Sequence, residues 1–299
     1  MAKRKSAPRQ PAPHRTCGTM AAHMMLLERF PGFRTSQMRL ETATARRRQL
    51  PEDMRRARIV TIRTVVNVVY NTEEQNVSSA QINSQLAVLN RDFRATNPDR
   101  HATPEPFRGL VTDARIRFRL VKVVRTRTAR PSFSHDDGVK RASSGGVAAF
   151  EPRTHLNMWV CPLAGGLLGY AQFPGGPLAT DGVVVNYRAF GTTGTAQAPF
   201  NRGRTATHEV GHYLNLRHIW GDTPDCSGSD LVADTPNCAG PNFGTPTWPV
   251  ITCNNGPNGD MFMNYMDYVD DAAMFMFTAQ QVLRMRAALE TSRSGLLEP

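Results

Sequence analysis

The segment HEVGHYLNLRH at 208–218 contains the side chains of this sequence that are best suited to metal chemistry. His208 and His212 are four residues apart, so on an α-helix their imidazoles project from one face toward a single metal ion. Zinc held in this way lowers the pKa of a bound water to roughly 7, and Glu209 offers a carboxylate that can take the proton. The spacing therefore predicts a hydrolytic zinc site with Glu209 as general base.

A third zinc ligand requires the helix to end before His218. A continuous helix would separate His208 from His218 by about 15 Å along its axis. Asn215 lies between them, and Asn tolerates the left-handed conformation with which helices commonly end. We therefore predict a turn at Asn215 that returns His218 to the metal and leaves the fourth position to water. The alternative is a structural zinc site, which would fill all four positions with Cys or His and have no use for Glu209.

Alternating strand and helix patterns surround this motif. The β-branched run at 59–70 is typical of a central strand, and Ser78 with Gln81 predicts the capping box of a long helix. A strand-rich region follows to about residue 190, and Thr278 begins a last amphipathic helix. The order predicts an α/β fold with a twisted mixed sheet and the zinc helix in an upper half. An irregular lower half with the C-terminal helix would lie across a cleft.

The net charge of +11 is unevenly distributed along the 299 residues. Residues 1–58 contain fourteen Lys and Arg against four Asp and Glu, whereas residues 59–299 contain twenty-two against twenty-one. The basic charge thus belongs to the N-terminal segment, which argues against a nucleic-acid-binding protein. No apolar run approaches the roughly twenty residues of a membrane span, and none follows the N-terminal charges as in a secretory signal peptide. The length suffices for one large domain or a domain plus a prosegment.

Four stretches of the chain resemble the pappalysin family of metzincin zinc endopeptidases, in particular its ulilysin-like members. The similarity runs from about residue 15 to the C-terminus, although Asn215 stands where the metzincins usually have Gly. The matching stretches are RTCGTM at 15–20, LNMWVCPLAGGLLGYAQFPGG at 156–176, GTAQAPFNRGRTATHEVGHYLNLRHIWGD at 194–222 and MNYMDYVDDAAMFMFT at 263–278. The resemblance implies a metzincin-type catalytic domain that hydrolyses peptide bonds.

The resemblance also implies roles for residues around the zinc. Met266 matches the methionine of the turn beneath the metal, and Tyr268 matches a tyrosine that stabilises the oxyanion of the tetrahedral intermediate. Cys17 matches a latency cysteine whose thiolate would occupy the fourth zinc position. The alternatives are that Met266 is an ordinary core methionine, that Tyr268 is a half-buried aromatic of a turn, and that Cys17 is a reduced cysteine with no function. Residues 1–58 are therefore predicted to be a prosegment and residues 59–299 the catalytic domain.

The same comparison predicts how the prosegment is removed and how the catalytic domain is held. Cleavage is expected within or just after the Arg clusters at 46–48 and 55–58. A disulfide between Cys226 and Cys253 is implied, which leaves Cys161 and Cys238 free or buried. Such a bridge favours an oxidising compartment, so we expect a secreted protein even though no signal peptide is visible.

Aspartates are predicted to serve calcium and specificity. Asp222, Asp225, Asp230 and Asp234 lie in one loop, and oxygen-rich loops suit calcium. We take Asp222, Asp230 and Asp234 as the ligands, with turn-forming aspartates as the alternative. The resemblance implies that Asp271 lies at the base of the first primed-side pocket; the alternative is a solvated or calcium-bound pair of Asp270 and Asp271. The resemblance also places the strand at 156–162 at the sheet edge above the cleft, where a peptide substrate would pair.

The functional prediction is a zinc endopeptidase made as a zymogen. It would act on peptide or protein substrates and favour cleavage before Arg or Lys, because a buried carboxylate pairs well with guanidinium. Zinc is the expected cofactor and calcium a second one. We expect neither nucleic-acid nor membrane partners, and the sequence does not indicate an oligomeric state. The alternative is a non-catalytic zinc or calcium module that binds a protein partner.

Overall fold

Two helices precede the sheet in the computed structural model, which describes residues 14–51 and 58–297. Helix α1 spans Thr19–Arg29 and α2 spans Pro31–Arg48, separated by the extended backbone of Phe30. The sequence did not predict α2, in which few apolar residues are buried. Residues 1–13 and most of the second Arg cluster, within or after which cleavage was expected, lie outside the described residues.

A five-stranded mixed sheet forms the upper half, with the strands in the order β2-β1-β3-β5-β4. The first four strands in this order are parallel, and β4 pairs antiparallel with β5. The strands are β1 Val60–Tyr70, β2 Ile116–Arg127, β3 Leu156–Cys161, β4 Gly169–Ala171 and β5 Val183–Asn186.

The prediction that residues 156–162 form the sheet edge is wrong. Strand β3 pairs with both β1 and β5, and all six of its residues are buried. Its nearly continuous apolar run is what a parallel strand covered on both faces requires. The two edge strands are β2 and β4, and the three residues of β4 are too few to show a strand pattern in the sequence.

The helices of the remaining chain cover the sheet and close the lower half. The capping box predicted at Ser78 forms only in part, because the Gln81 amide turns to the carbonyls of Tyr187 and Phe190. The box at Thr278 and Gln281 is reciprocal. The helices are α3 Ser79–Asp92, the single turn α4 Glu105–Arg108, α5 Arg204–Tyr213 and α6 Ala279–Glu290.

One apolar core joins the two halves of the molecule. It includes β1, β3 and β5 of the sheet, the buried face of α3, helix α5 and the methionine-rich residues 261–277. Between α5 and α6 the chain consists of turns, isolated bridges and one short 3₁₀ helix, which is the irregular lower half that was predicted. No helix in the described ranges is both long and apolar enough to cross a membrane.

Candidate active site

Helix α5 carries His208, Glu209 and His212, and every one of its residues is buried. The helix ends at Tyr213, and Asn215 adopts the left-handed conformation, with φ of 75°. The amide of Leu216 then donates to the carbonyl of Gly211 at 2.9 Å, which closes the turn. The predicted break at Asn215 is therefore present, and it returns His218 to the histidines of α5.

The three histidines bring their Nε2 atoms together. His212 Nε2 lies 3.1 Å from both His208 Nε2 and His218 Nε2, and the latter two atoms are 3.3 Å apart. A tetrahedral zinc ion with Zn–N bonds of about 2.0–2.1 Å would space its nitrogens about 3.3–3.4 Å apart. Cys17 Sγ lies 3.5 Å from His212 Nε2. Among the described residues, these four form the only group of three or more His, Cys, Asp or Glu side chains positioned to hold a metal ion.

The outer nitrogens of the three rings have acceptors that fix their orientation. His208 Nδ1 donates to the Tyr265 carbonyl and His212 Nδ1 to the Leu216 carbonyl, both at 2.7 Å. His218 Nδ1 donates to the Asp222 carboxylate at 2.5 Å. Burial lowers the pKa of His208 and of His212 well below the ordinary range. Neutral imidazoles with free Nε2 lone pairs are what a zinc ion requires, so the site fits zinc.

Glu209 lies beside the metal ligands and is covered by the N-terminal segment, residues 1–58. Its Oε2 accepts a hydrogen bond from the Thr19 hydroxyl at 2.9 Å, and Cys17 Sγ is 3.6 Å away. Burial raises the pKa of Glu209 to about 8, and the hydrogen bonds from Thr19 and Cys17 oppose this rise. Thr19 was not predicted as a site residue, although it belongs to the RTCGTM stretch.

The N-terminal segment also pairs with the edge of the sheet at β4. Gly18 N donates to Gly169 O at 2.9 Å, and Leu168 N donates to Thr16 O at 3.0 Å. Ala171 N donates to the Thr19 hydroxyl at 2.8 Å. A short stretch around Cys17 thus lies along β4 as an additional parallel strand and occupies the cleft.

Met266 and Tyr268 border the histidines, as the sequence placed them. Met266 is fully buried below α5, where a Cβ on Gly211 would lie 2.5 Å from its Sδ. The Tyr268 ring is centred 4.9 Å from the His218 ring and 5.8 Å from the His208 ring. Burial raises the pKa of Tyr268, so its phenol keeps the proton with which it can donate.

Asp271 forms a buried ion pair with Arg15. Its Oδ1 accepts from Arg15 Nη2 at 2.6 Å, and its Oδ2 accepts from the backbone amides of Arg202 and Arg204. Arg15 also donates to the Val269 carbonyl at 3.1 Å. Both members of the ion pair are buried. The Asp271 carboxylate thus holds a guanidinium group that the N-terminal segment supplies.

The predicted disulfide between Cys226 and Cys253 is present, and Cys161 and Cys238 are free and buried. The predicted calcium ligands, in contrast, do not converge. Asp230 accepts from Val232 N and the Thr235 hydroxyl, and Asp234 accepts from the Thr278 hydroxyl and Gln280 N at the start of α6.

Asp222 is turned away from this pair toward His218. Each of the three carboxylates has a separate set of donors, as short acidic side chains in irregular loops commonly do. The structure therefore does not assemble Asp222, Asp230 and Asp234 into one ligand set.

Comparison with known proteins identifies the family. The peptidase M43 family model, described as pregnancy-associated plasma protein-A, matches residues 147–290. An extracellular metalloprotease of Trichophyton verrucosum is 31% identical over 245 residues, which cover 79% of this chain and 80% of that protein. The chain belongs to the pappalysin family. It is a zinc metalloendopeptidase, and peptides or proteins are its substrates.

Solved pappalysin structures share this fold. A mutant of Tannerella forsythia promirolysin superposes with a TM-score of 0.84 at 42% identity, covering 95% of this chain and 97% of that one. Mature mirolysin from the same organism, in complex with a cleaved peptide, superposes with a TM-score of 0.77 at 46% identity. It covers 81% of this chain and 100% of that one.

Proposed function

We propose that this chain is the latent form of a secreted zinc endopeptidase, with residues 1–58 as a removable prosegment and residues 59–299 as the enzyme. The observation that carries the proposal is the convergence of Cys17 with the three histidines. The larger share of the chain covered by promirolysin than by mature mirolysin supports it. Export is supported by relatives that are named extracellular metalloproteases.

The proposed chemistry divides the work between a metal ion and two side chains. A zinc ion held by the histidines would supply a Lewis acid that makes water acidic near neutral pH. Glu209 would take the proton of the attacking water and pass it to the leaving amine. Tyr268 would donate its phenolic hydrogen to the oxyanion that develops on the scissile carbonyl.

Latency would result from blocking the metal, the base and the substrate-binding edge. Cys17 Sγ lies where a fourth metal ligand would bind, Thr19 donates to the carboxylate of Glu209, and the backbone around Cys17 pairs with β4. A water molecule and an extended substrate are therefore kept out together. Cleavage of the prosegment is best placed after α2, because the cluster at 46–48 forms the last turn of that helix rather than an extended chain.

Asp271 is proposed to select Arg or Lys as the residue after the cleaved bond. The support is Arg15, whose guanidinium pairs with this carboxylate inside a pocket next to the metal site. An enzyme with this preference could process its own arginine-rich N-terminal segment. Calcium in the 222–234 loop stays a prediction, which metal analysis of the protein purified in calcium-containing buffer would test.

Replacement of Glu209 tests the mechanism. We expect Glu209→Ala to abolish cleavage of a fluorogenic Arg-containing peptide, while zinc measured by elemental analysis stays near one per chain. N-terminal sequencing of the purified wild type and mutant would show whether the chain processes itself. Activity in Glu209→Ala would overturn the assignment of the base, and identical N-termini would exclude self-cleavage.

A further inference from the structure

The loop that follows the third histidine is folded back on itself. Gly221 and Asp222 both adopt the left-handed conformation, with φ of 67° and 61°. A Cβ on Gly221 would collide with the backbone of Ser229, and one on Gly228 would collide with the Trp220 carbonyl. A left-handed conformation is unfavourable for Asp, so it persists only where the surrounding structure fixes it.

This conformation directs the Asp222 carboxylate to the outer nitrogen of His218. Oδ1 lies 2.5 Å from His218 Nδ1, and the buried Oδ2 has no hydrogen-bond partner among the residues that the structure describes. The Trp220 ring stacks on the face of the His218 ring. The ring centres are 4.4 Å apart and the two planes are inclined by 6°. The hydrogen bond to Asp222 thus fixes the imidazole within its plane, and the stacked Trp220 ring fixes the orientation of that plane.

His218 differs from the other two histidines in the acceptor that it uses. His208 and His212 donate to neutral backbone carbonyls, and only His218 donates to a carboxylate. A carboxylate acceptor fixes the tautomer with the free lone pair on Nε2, and it makes the ring a stronger electron donor to a metal. His218 also lies outside α5, so no helix holds it in place.

We infer that Asp222 is a positioning residue for the zinc ligand His218 and that it sets the affinity of the site for zinc. This role differs from the calcium role predicted from the sequence, and it rests on the proposed zinc site. Removing an outer partner of a zinc-bound histidine typically weakens metal binding 10–100-fold. We expect a loss in this range for Asp222→Ala and a smaller loss for Asp222→Asn, because the amide keeps an acceptor oxygen.

The experiment measures zinc affinity rather than activity. The full chain is prepared in the Glu209→Ala background so that no sample processes itself, and its zinc dissociation constant is obtained by competition with a chelator of known affinity. Asp225→Ala is the matched control, because Asp225 is exposed on the same loop and its carboxylate bonds only Ser227. The absorption bands of the cobalt-substituted proteins report the ligand field and should change for Asp222→Ala alone.

The outcomes separate this inference from the proposed function. Unchanged zinc affinity in Asp222→Ala would overturn the inference, as would an equal loss in Asp225→Ala, which would indicate a general effect of the loop. A melting temperature of zinc-free Asp222→Ala that matches the zinc-free parent would support a role toward the metal. If the parent itself binds no zinc, the proposed function fails instead.

Discussion

Arg15 and Asp271 form a buried ion pair that connects positions far apart in the sequence. The same carboxylate also accepts two backbone amides, so a neutral amide in its place would lose one acceptor and the charge. The Arg15 guanidinium binds its partners through N–H donors that any other arginine side chain could supply. The proposed specificity and latency would thus share one acidic residue.

Asp271→Asn should therefore weaken both functions. Truncating one partner of a buried, hydrogen-bonded charge pair costs about 2–5 kcal/mol, so we expect kcat/KM for a peptide with Arg after the cleaved bond to fall at least about 30-fold. A peptide with Leu at that position should be affected much less. Asp270→Asn is the control, since Asp270 is half-buried and forms no ion pair among the described residues. Equal losses for the two peptides would contradict the assignment.

At the residue scale, the sequence predicted the three histidines, Glu209 and Cys17 but not Thr19, which covers Glu209. His208, Glu209, His212 and His218 are close in sequence, so helical spacing and one turn suffice to bring them together. Thr19 contacts Glu209 across 190 residues, a pairing that no local pattern encodes.

A second anchor of the N-terminal segment lies between α2 and α6, away from the metal. Glu41 accepts two hydrogen bonds of 2.7 Å from Arg284, and Leu40 packs against Ala287 and Ala288. Arg284 also donates to the carbonyl of Asn215, the residue that ends the zinc helix. The position of α2 is thus coupled to the turn that returns His218.

Loss of this anchor should speed activation. In Glu41→Gln the buried guanidinium of Arg284 keeps a neutral acceptor but loses its counter-charge. Paired charges of this kind contribute about 1–3 kcal/mol when partly buried, so we expect activity to appear roughly 10-fold faster on incubation of the full chain. The rate is followed with the fluorogenic peptide. Glu28→Gln, on the exposed face of α1, should behave as the wild type; an unchanged rate in Glu41→Gln would refute the anchor.

Helix α2 and the central position of β3 were missed for different reasons. Helix α2 buries only Phe33, Leu40, Thr44 and Arg47, so its apolar periodicity is weak, and it depends on docking to α6. Strand β3 was placed at the edge by the family resemblance, although its nearly continuous apolar run is typical of a central parallel strand. Helices α3 and α6 were predicted because cap and periodicity agree in each, whereas α5, which has no side-chain cap, was predicted from the spacing of its histidines.

In the whole molecule, burial of His23 makes the contact between the N-terminal segment and the enzyme sensitive to acid. Its ring packs against Phe33 at 5.3 Å and Phe173 at 5.0 Å, and Phe173 in turn contacts the His212 ring. Burial, aided by Arg217, lowers the pKa of His23 to about 4. A lowered histidine pKa means that the docked state prefers neutral imidazole. The contribution of neutral His23 to docking of the N-terminal segment is complete above about pH 6.5 and is lost as the pH falls toward 4.

Binding of the N-terminal segment should accordingly weaken between pH 6.5 and 4. Protonation of His23 would lower its binding free energy by at most about 3 kcal/mol. We would nick the chain after α2, incubate it across this range and measure by size-exclusion chromatography how much of the N-terminal segment stays bound. In His23→Gln, retention should depend less on pH. The same pH profile in wild type and His23→Gln would show that other groups control release.

Departure of the N-terminal segment leaves β4 with open backbone groups at Leu168, Gly169 and Ala171. An uncovered sheet edge is a template for any extended chain, including β4 of a second copy. The departing segment also removes most of the net positive charge, and with it the mutual repulsion that keeps molecules apart. If residues 1–58 are removed as proposed, we expect the uncovered enzyme to be most prone to self-association when no substrate occupies its edge.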